Sequence, residues 1–258
     1  MSDQAKKAET FTAMHVPGQP VVLFNIWDAG TARAVAAAGA RALATGSWSV
    51  AEANGYPDGE QLPLDLSIAN CARIVAAVEL PVSLDLESGY GATAEQVGQT
   101  VARTIGAGAV GCNMEDSYVD TRKLRPSGEG AERVRQARRA AEAAGLGFFI
   151  NARTDVFFQK PAAEHDAGMV DEALERARLY ADAGASGLFV PGLADPALVA
   201  RLTKASPLPV NLMVSAASPL KVLAEAGAAR LSCGPGPYRA MMQALEASAR
   251  ETFGKLES

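Results

Sequence analysis

Short apolar runs recur along the chain, each closed by a polar or acidic residue and followed by an Ala-rich stretch of helical period. The runs fall at residues 21–27, 42–45, 82–86, 110–114, 148–152, 187–190, 210–214 and 230–233, and each predicts a strand buried on both faces. Helices are predicted between and after them, near residues 31–38, 67–78, 94–105, 129–144, 170–183, 196–204, 219–226 and 236–253. Gly39, Gly108, Gly145, Gly184 and Gly227 each follow a helix, where a left-handed residue closes it. This alternation predicts an α/β protein with a parallel sheet covered by helices. Eight units favour a closed (β/α)8 barrel of TIM type over a doubly wound sheet. No GxGxxG or GxxxxGK[ST] stands at a strand-to-helix turn, which removes the dinucleotide-binding and P-loop readings. The first fifteen residues predict a short amphipathic helix whose Phe11 and Met14 plug one end of the barrel. No Pro-, Gly- or Ser-rich linker interrupts the pattern, so residues 1–258 read as one domain.

The polar residues concentrate where the strands run out. In VSLDLESGYG, residues 82–91, Asp85 and Glu87 stand two apart and so share one strand face. A Gly-Tyr-Gly turn follows, at the end of a parallel barrel strand where chemistry is done. Thr45, Gly46, Ser47 and Trp48 end the second strand, and Asp58 lies in the long connection after it. Glu115 and Asp116 end the fourth, and the strand register favours Glu115 for the site. The fifth carries Asn151, Arg153 and Asp155, and the seventh carries Asn211. Asp28, after the first strand, serves equally as a helix cap or as site support. Carboxylates crowded at one point repel unless a cation lies among them, and a hard cation such as Mg²⁺ suits oxygen ligands. Arg153 offers a planar fork for a carboxylate or phosphonate, and the amides around Gly46 and Ser47 could hold a second anionic group. The connections at residues 46–66 and 115–129 are long, and the second is a candidate lid.

Composition narrows the partners. The 258 residues are 48% apolar, enough for a substantial core, and the net charge of −5 argues against nucleic acid or an anionic membrane as main partner. The three Cys form no CxxC, and Cys112 and Cys233 lie within predicted strands, where they pack. Two His, His15 and His165, give a His-based triad little support. The N-terminus has no apolar signal core and no run reaches membrane length, so a cytoplasmic, soluble protein is expected. Arg133, Arg135, Arg138 and Arg139 share one outer helix with Glu132 and Glu142 and predict a solvated, partly paired face.

In chain order, FNIWDAG, GYPDGE, LDLESGYG, the MED after the fourth strand and NARTD resemble the isocitrate lyase and phosphoenolpyruvate mutase superfamily. The resemblance implies a barrel with Mg²⁺, or Mn²⁺ in its place, at the mouth, and a small 2-oxo carboxylate or its enolate on the metal. By motif, Asp85 would be the direct ligand, while Asp58, Glu87 and Glu115 would hold the metal's waters. Gly46, Ser47 and Trp48, beside Thr45, would contact the substrate carboxylate, Arg153 would bind its oxygens, and Asn211 would stand nearby. Members make or break a C–C or P–C bond beside the carbonyl, with the metal stabilising the enolate. The family also forms tetramers that exchange the last barrel helix, here residues 236–253, so a homo-oligomer, tetramer or dimer, is implied.

The departures bear on substrate. The lyases carry KxCGH in the loop after strand four, where this chain reads DSYVDTRKLRP, with no Cys or His. The mutases and the related hydrolase use a Lys and an Asn there, of which Lys123 is a partial echo. Methylisocitrate lyases place a Glu after strand six and a Thr-Glu after the Asn of strand seven, where this chain has Gly192, Met213 and Val214. A small 2-oxo dicarboxylate fits these changes better than a tricarboxylate. The reading is a Mg²⁺-dependent C–C lyase, with Tyr118 or Lys123 as proton donor from the lid and Asp58 as a further catalytic candidate. A phosphonomutase or phosphonopyruvate hydrolase is one alternative, and a 2-oxo acid-binding protein with little catalysis is the other.

Overall fold

Each apolar run becomes a parallel strand, most of them shorter than the run because pairing ends where the chain peels toward its helix. The computed structural model describes residues 2–256. Its strands are β1 (Val21–Leu23), β2 (Leu43–Ala44), β3 (Val82–Asp85), β4 (Gly111–Glu115), β5 (Phe149–Arg153), β6 (Gly187–Val190), β7 (Val210–Met213) and β8 (Arg230–Ser232). They form one sheet in the order β1-β8-β7-β6-β5-β4-β3-β2. Its edges meet through a parallel bridge between Ile26 and Thr45, where the Ile26 amide donates to the Ala44 carbonyl at 2.9 Å. The sheet is therefore a closed barrel. β1 stops at Leu23 because Asn25 leaves the ladder to tie three strand ends together. Its Nδ2 donates to the Thr45 carbonyl at 2.9 Å, and its Oδ1 accepts from the Gly234 amide at 2.9 Å.

The helices are α1 (Asp3–Ala13), α2 (Ala29–Ala37), α3 (Ser47–Ala53), α4 (Leu64–Ala77), α5 (Ala94–Gly106), α6 (Ser127–Ala143), α7 (Ala167–Asp182), α8 (Pro196–Ala205), α9 (Leu220–Glu225) and α10 (Gly236–Gly254). Asp28 caps α2 in a reciprocal capping box with Thr31, so its side chain is occupied at the helix start. The helix α3 corrects the expectation of a loop over residues 46–66. Its SWSVAEA is too short to display a helical period, and Val50 and Ala51 make it a helix by packing against Trp27 and Leu62. Among the described residues, no helix is long and apolar enough to cross a membrane.

The barrel floor is plugged as expected. Phe11 and Met14 are buried, and Phe11 meets Phe149 edge-on with ring centroids 5.5 Å apart. Gly111 must lack a side chain here, since a Cβ would stand 2.8 Å from the Phe149 carbonyl and 3.2 Å from the Phe11 ring. His15 stacks on Phe149 at 3.9 Å, and its Nδ1 donates to the Phe11 carbonyl at 2.8 Å. Its Nε2 is buried without a partner among the described residues. Burial, with Arg230 nearby, pushes the His15 imidazole down to about 3. A pKa below the unfolded value near 6.5 gives stability that is complete above about pH 6.5 and lost as pH falls toward 3. A His15→Phe variant should therefore lose less stability than the parent between pH 6.5 and 4 in urea titrations. The difference should reach roughly 2–3 kcal/mol at the acid end. Parallel acid limbs in the two proteins would contradict this reading of the plug.

Above the plug, Arg230 is fully buried and donates to Asn113 Oδ1 at 3.2 Å and Ser232 Oγ at 3.1 Å. Asn151 Nδ2 shares the same Asn113 oxygen at 2.9 Å. A polar layer thus separates the apolar floor from the mouth.

Candidate active site

The C-terminal strand ends bring one set of acids and cations together. Asp85 closes β3, where its amide donates to Thr45 Oγ1 at 2.9 Å. Its Oδ2 accepts from both the amide and the hydroxyl of Ser47 at 3.0 Å. Ser47 is the first residue of α3, so a helix N-terminus faces the Asp85 carboxylate. Glu87 lies beyond β3 in the left-handed region at φ +51°, so it does not share a strand face with Asp85, and its carboxylate reaches the 58–61 turn that follows β2. There it accepts from the amides of Gly59 at 2.9 Å and Glu60 at 2.7 Å, and from the Tyr90 hydroxyl at 3.2 Å. Burial first, then the neighbouring Asp58, push the Glu87 carboxyl up to about 7.

Glu115 closes β4 and points inward. Its Oε2 meets Arg153 Nη1 at 2.7 Å and its Oε1 meets Arg122 Nη1 at 3.5 Å. Burial pushes the Glu115 carboxyl up against the pull of Arg153, and Asp155, Asp85 and Glu87 add to the push. Asp116 faces the other way, accepting from the Tyr180 hydroxyl at 2.7 Å and from Arg176 at 3.1 Å. Arg153 is held by two acids, because its Nε and Nη2 also donate to Asp155 at 2.6 and 3.1 Å. Those carboxylates keep its guanidinium charged although burial opposes this.

The loop after β4 folds as a small hairpin with a bridge between Ser117 and Leu124. Its tip lays Arg122 between Glu115 and Asp58, whose Oδ2 is 3.3 Å from Nη2. Tyr118 is committed elsewhere, donating its hydroxyl to Glu129 at 2.8 Å under the Arg125 guanidinium. Lys123 is exposed on the hairpin. A cleft of about 740 Å³ opens between this hairpin and the 58–61 turn. Among the described residues, four non-glycine residues have positive φ: Glu60, Glu87, Tyr90 and Arg122. All lie in these mouth loops, a clustering of strained backbone that accompanies functional sites.

Other expected site residues lie at the margins. Trp48 packs under Arg239, 4.6 Å from its ring centroid, and edge-on to Tyr238 at 5.7 Å. Asn211 belongs to the buried polar layer, where its Oδ1 accepts from Ser232 at 3.2 Å. His165 is tied to the Phe157 carbonyl at 2.9 Å in its own loop. The expected solvated arginine face divides. Arg133 is only 3% exposed and donates to the carbonyls of Ser88 at 2.7 Å and Gly91 at 2.8 Å, clamping the turn after Glu87. Arg138 binds the Gly184 carbonyl and Ser186, and Arg135 alone of these three pairs with Glu132. Glu60 also escaped notice in the sequence, yet its carboxylate accepts from Ser88 at 2.6 Å and the Tyr90 amide at 2.9 Å. The available signal for Arg133 was its place on the same helix stripe as Gly130, Ala131, Val134 and Ala137.

Asp58, Asp85, Glu87 and Glu115 offer the oxygen donors that a hard divalent cation takes. Among the described residues, no three acids are gathered closely enough to hold one ion together. Their all-oxygen chemistry suits a hard cation that keeps much of its water shell, the habit of Mg²⁺. Asp85 suits the direct role, because Ser47 and a long 3.4 Å contact from the Glu87 amide are its side chain's hydrogen-bond partners and, among the described residues, no guanidinium is paired with it.

Residues 11–253 match the phosphoenolpyruvate phosphomutase family. An uncharacterised protein of Mycobacterium tuberculosis is 34% identical over 93% of this chain and 88% of its own length. The 2-methylisocitrate lyase of Escherichia coli is 30% identical over 92% of this chain and 81% of its own. A solved structure from Burkholderia cenocepacia, provisionally called a phosphonomutase, is 54% identical with a TM-score of 0.94, covering 96% of this chain and 99% of that one. A phosphonopyruvate hydrolase solved with oxalate and Mg²⁺ shares the fold, with a TM-score of 0.82 at 22% identity over 97% of this chain and 87% of that one.

Proposed function

The chain belongs to the phosphoenolpyruvate phosphomutase family, and from that premise we propose that it is a Mg²⁺-dependent lyase cleaving or forming a C–C bond beside the carbonyl of a small 2-oxo dicarboxylate. The observation that carries the reading is the convergence of Asp85, Glu115, Arg153 and the N-terminus of α3 at one barrel mouth. Asp85 directly, and Asp58, Glu87 and Glu115 through waters, would hold Mg²⁺ or Mn²⁺, which supplies Lewis-acid polarisation of a carbonyl. Arg153 presents a fixed cation to the substrate carboxylate, positioned by Asp155 and Glu115. The first-turn amides of α3 beside Gly46, Ser47 and Trp48 favour a second carboxylate. The hairpin at residues 117–124 covers the mouth and limits water. Lys123 is the better proton donor on it, because the Tyr118 hydroxyl is engaged by Glu129. Incubation with oxaloacetate-type substrates and Mg²⁺, assayed for released pyruvate or the matching monocarboxylate, tests the reading. No turnover across such acids would overturn it.

The likeness to the Burkholderia cenocepacia protein favours a second reading, cleavage or migration at a P–C bond. Phosphonopyruvate distinguishes the two: release of inorganic phosphate, or a rearranged phosphate ester, with no C–C product supports the second.

The same reading includes a cytoplasmic homo-oligomer that exchanges α10. The outer face of β1 is uncovered, with Val22 46% and Phe24 48% exposed beside an apolar groove of about 640 Å³ lined in part by Ala34, Val35 and Met241. On α10, Pro237 is the one buried residue, and Leu245 is 62% exposed. An exposed apolar groove and a helix exposed beyond its first turns are complementary in a ring of copies. Met241→Glu with Leu245→Glu should convert the assembly to monomers in light scattering and lower its melting temperature. A wild-type monomer would contradict the exchange.

A further inference from the structure

We propose that Arg122 is a built-in counter-cation of the mouth: it neutralises Asp58 and Glu115 while no divalent cation is bound, and cation binding displaces it and releases the hairpin. The proposal rests on the metal reading above and concerns what this chain's own residue does toward that metal. Three observations carry it. First, Arg122 reaches two acids from different elements, Asp58 Oδ2 in the 58–61 turn at 3.3 Å and Glu115 Oε1 at the end of β4 at 3.5 Å. Second, the two oxygens of Glu115 are divided between cations. Oε2 is held by Arg153 at 2.7 Å, so Oε1 is the one left for a metal's water, and Arg122 occupies it. Third, Arg122 adopts φ +56°, a conformation that costs a non-glycine residue and that the contacts of the hairpin tip must offset.

A guanidinium and a hydrated divalent cation cannot both take Glu115 Oε1 and Asp58 Oδ2. Their mutual repulsion makes the two occupancies exclusive, and linkage makes the effect reciprocal. Metal binding loosens the hairpin, and removing Arg122 tightens metal binding. The rest of the hairpin is held by a modest set of bonds. These include the Tyr118 amide to the Lys123 carbonyl at 2.9 Å, the Arg122 amide to the Tyr118 carbonyl at 2.9 Å, and Gln159 to the Arg122 carbonyl at 3.2 Å. Tyr118 and Arg125 anchor its base to Glu129, which leaves the tip as the part able to lift. A Cβ on Gly59 would lie 3.4 Å from Arg122 Nη2, so the tip closes directly onto the 58–60 turn. The opening would admit an anionic substrate at the moment the cation is in place.

The test titrates the full-length protein with Mn²⁺, following free Mn²⁺ by electron paramagnetic resonance, and measures amide hydrogen exchange with and without Mn²⁺. Wild type, Arg122→Gln, Arg122→Lys and Lys123→Gln are compared, with circular dichroism melts to confirm folding. Arg122→Gln should bind Mn²⁺ about fivefold more tightly or better, the lower end of ordinary coupling between sites. Lys123→Gln, which removes a charge from the same hairpin without touching the acids, should bind as wild type does. Arg122→Lys should lie between them, since a point charge replaces a fork. In wild type, Mn²⁺ should speed exchange at the Tyr118 and Arg122 amides, and in Arg122→Gln those amides should exchange fast with or without it. Equal Mn²⁺ affinity in Arg122→Gln and wild type, or hairpin protection by Mn²⁺ in wild type, overturns the counter-cation while leaving the metal site intact. Absence of Mn²⁺ binding in every variant overturns the metal reading and this proposal with it.

Discussion

Asp85→Ala is expected to abolish Mg²⁺-dependent binding of a 2-oxo dicarboxylate, with metal affinity falling by more than about 100-fold. Outer partners of a metal site typically cost 10- to 100-fold when removed, and a direct ligand costs more. Stability should change little. Asp85 adds to the repulsion that pushes Glu87 and Glu115 up, so its loss relieves two buried acids, but it also removes a counter-charge from the buried Arg230. Ser47 loses a partner but stays solvated at the start of α3, where water can replace the carboxylate. A calorimetric metal titration beside a thermal melt checks both halves. Retained binding, or a large loss of melting temperature with it, would sink the assignment of Asp85 as a metal ligand.

Arg153→Met is expected to cost about 3–5 kcal/mol of folding stability, the usual penalty for removing one partner of a buried ion pair. Glu115 and Asp155 are both buried, and Arg153 contacts each within 2.7 Å. Without it their charges lose their nearest compensation. The methionine fills similar volume, so the loss reads charge rather than cavity. Combining Arg153→Met with Glu115→Gln and Asp155→Asn should recover much of the stability without recovering ligand binding. That split separates the structural part of Arg153 from its part in holding an anion. Urea denaturation of the parent, the single and the triple variant measures it. A single variant as stable as the parent would show that the network contributes little.

Much of this arrangement was legible in the chain. The eight apolar runs gave the barrel because strands buried on both faces leave little ambiguity when helices alternate with them. Period-two alternation chose Glu115 over Asp116, and the structure turns Glu115 onto Arg153 and Asp116 onto Tyr180. Other features depended on contacts that no local pattern encodes. The helix α3 exists through packing on Trp27 and Leu62. Arg133 looked solvated because charge dominates the reading of a lone arginine, yet two carbonyls of a distant turn hold it inside. Tyr118 was a reasonable lid donor until Glu129 of α6, and Arg125 just before that helix, became its neighbours. Arg122 was legible only as a residue of the candidate lid, since the folded hairpin alone brings it to Asp58.

The most direct measurement is a calorimetric titration of the wild-type protein with oxaloacetate, 2-oxoglutarate and phosphonopyruvate, each with Mg²⁺ and again with EDTA. Pyruvate and inorganic phosphate are assayed in the same samples, and Asp85→Ala serves as control. The account expects one dicarboxylate to bind only with Mg²⁺, to bind no longer in Asp85→Ala, and to yield a C–C cleavage product. Binding that ignores both EDTA and Asp85→Ala, or no binding of any of the three, would contradict it.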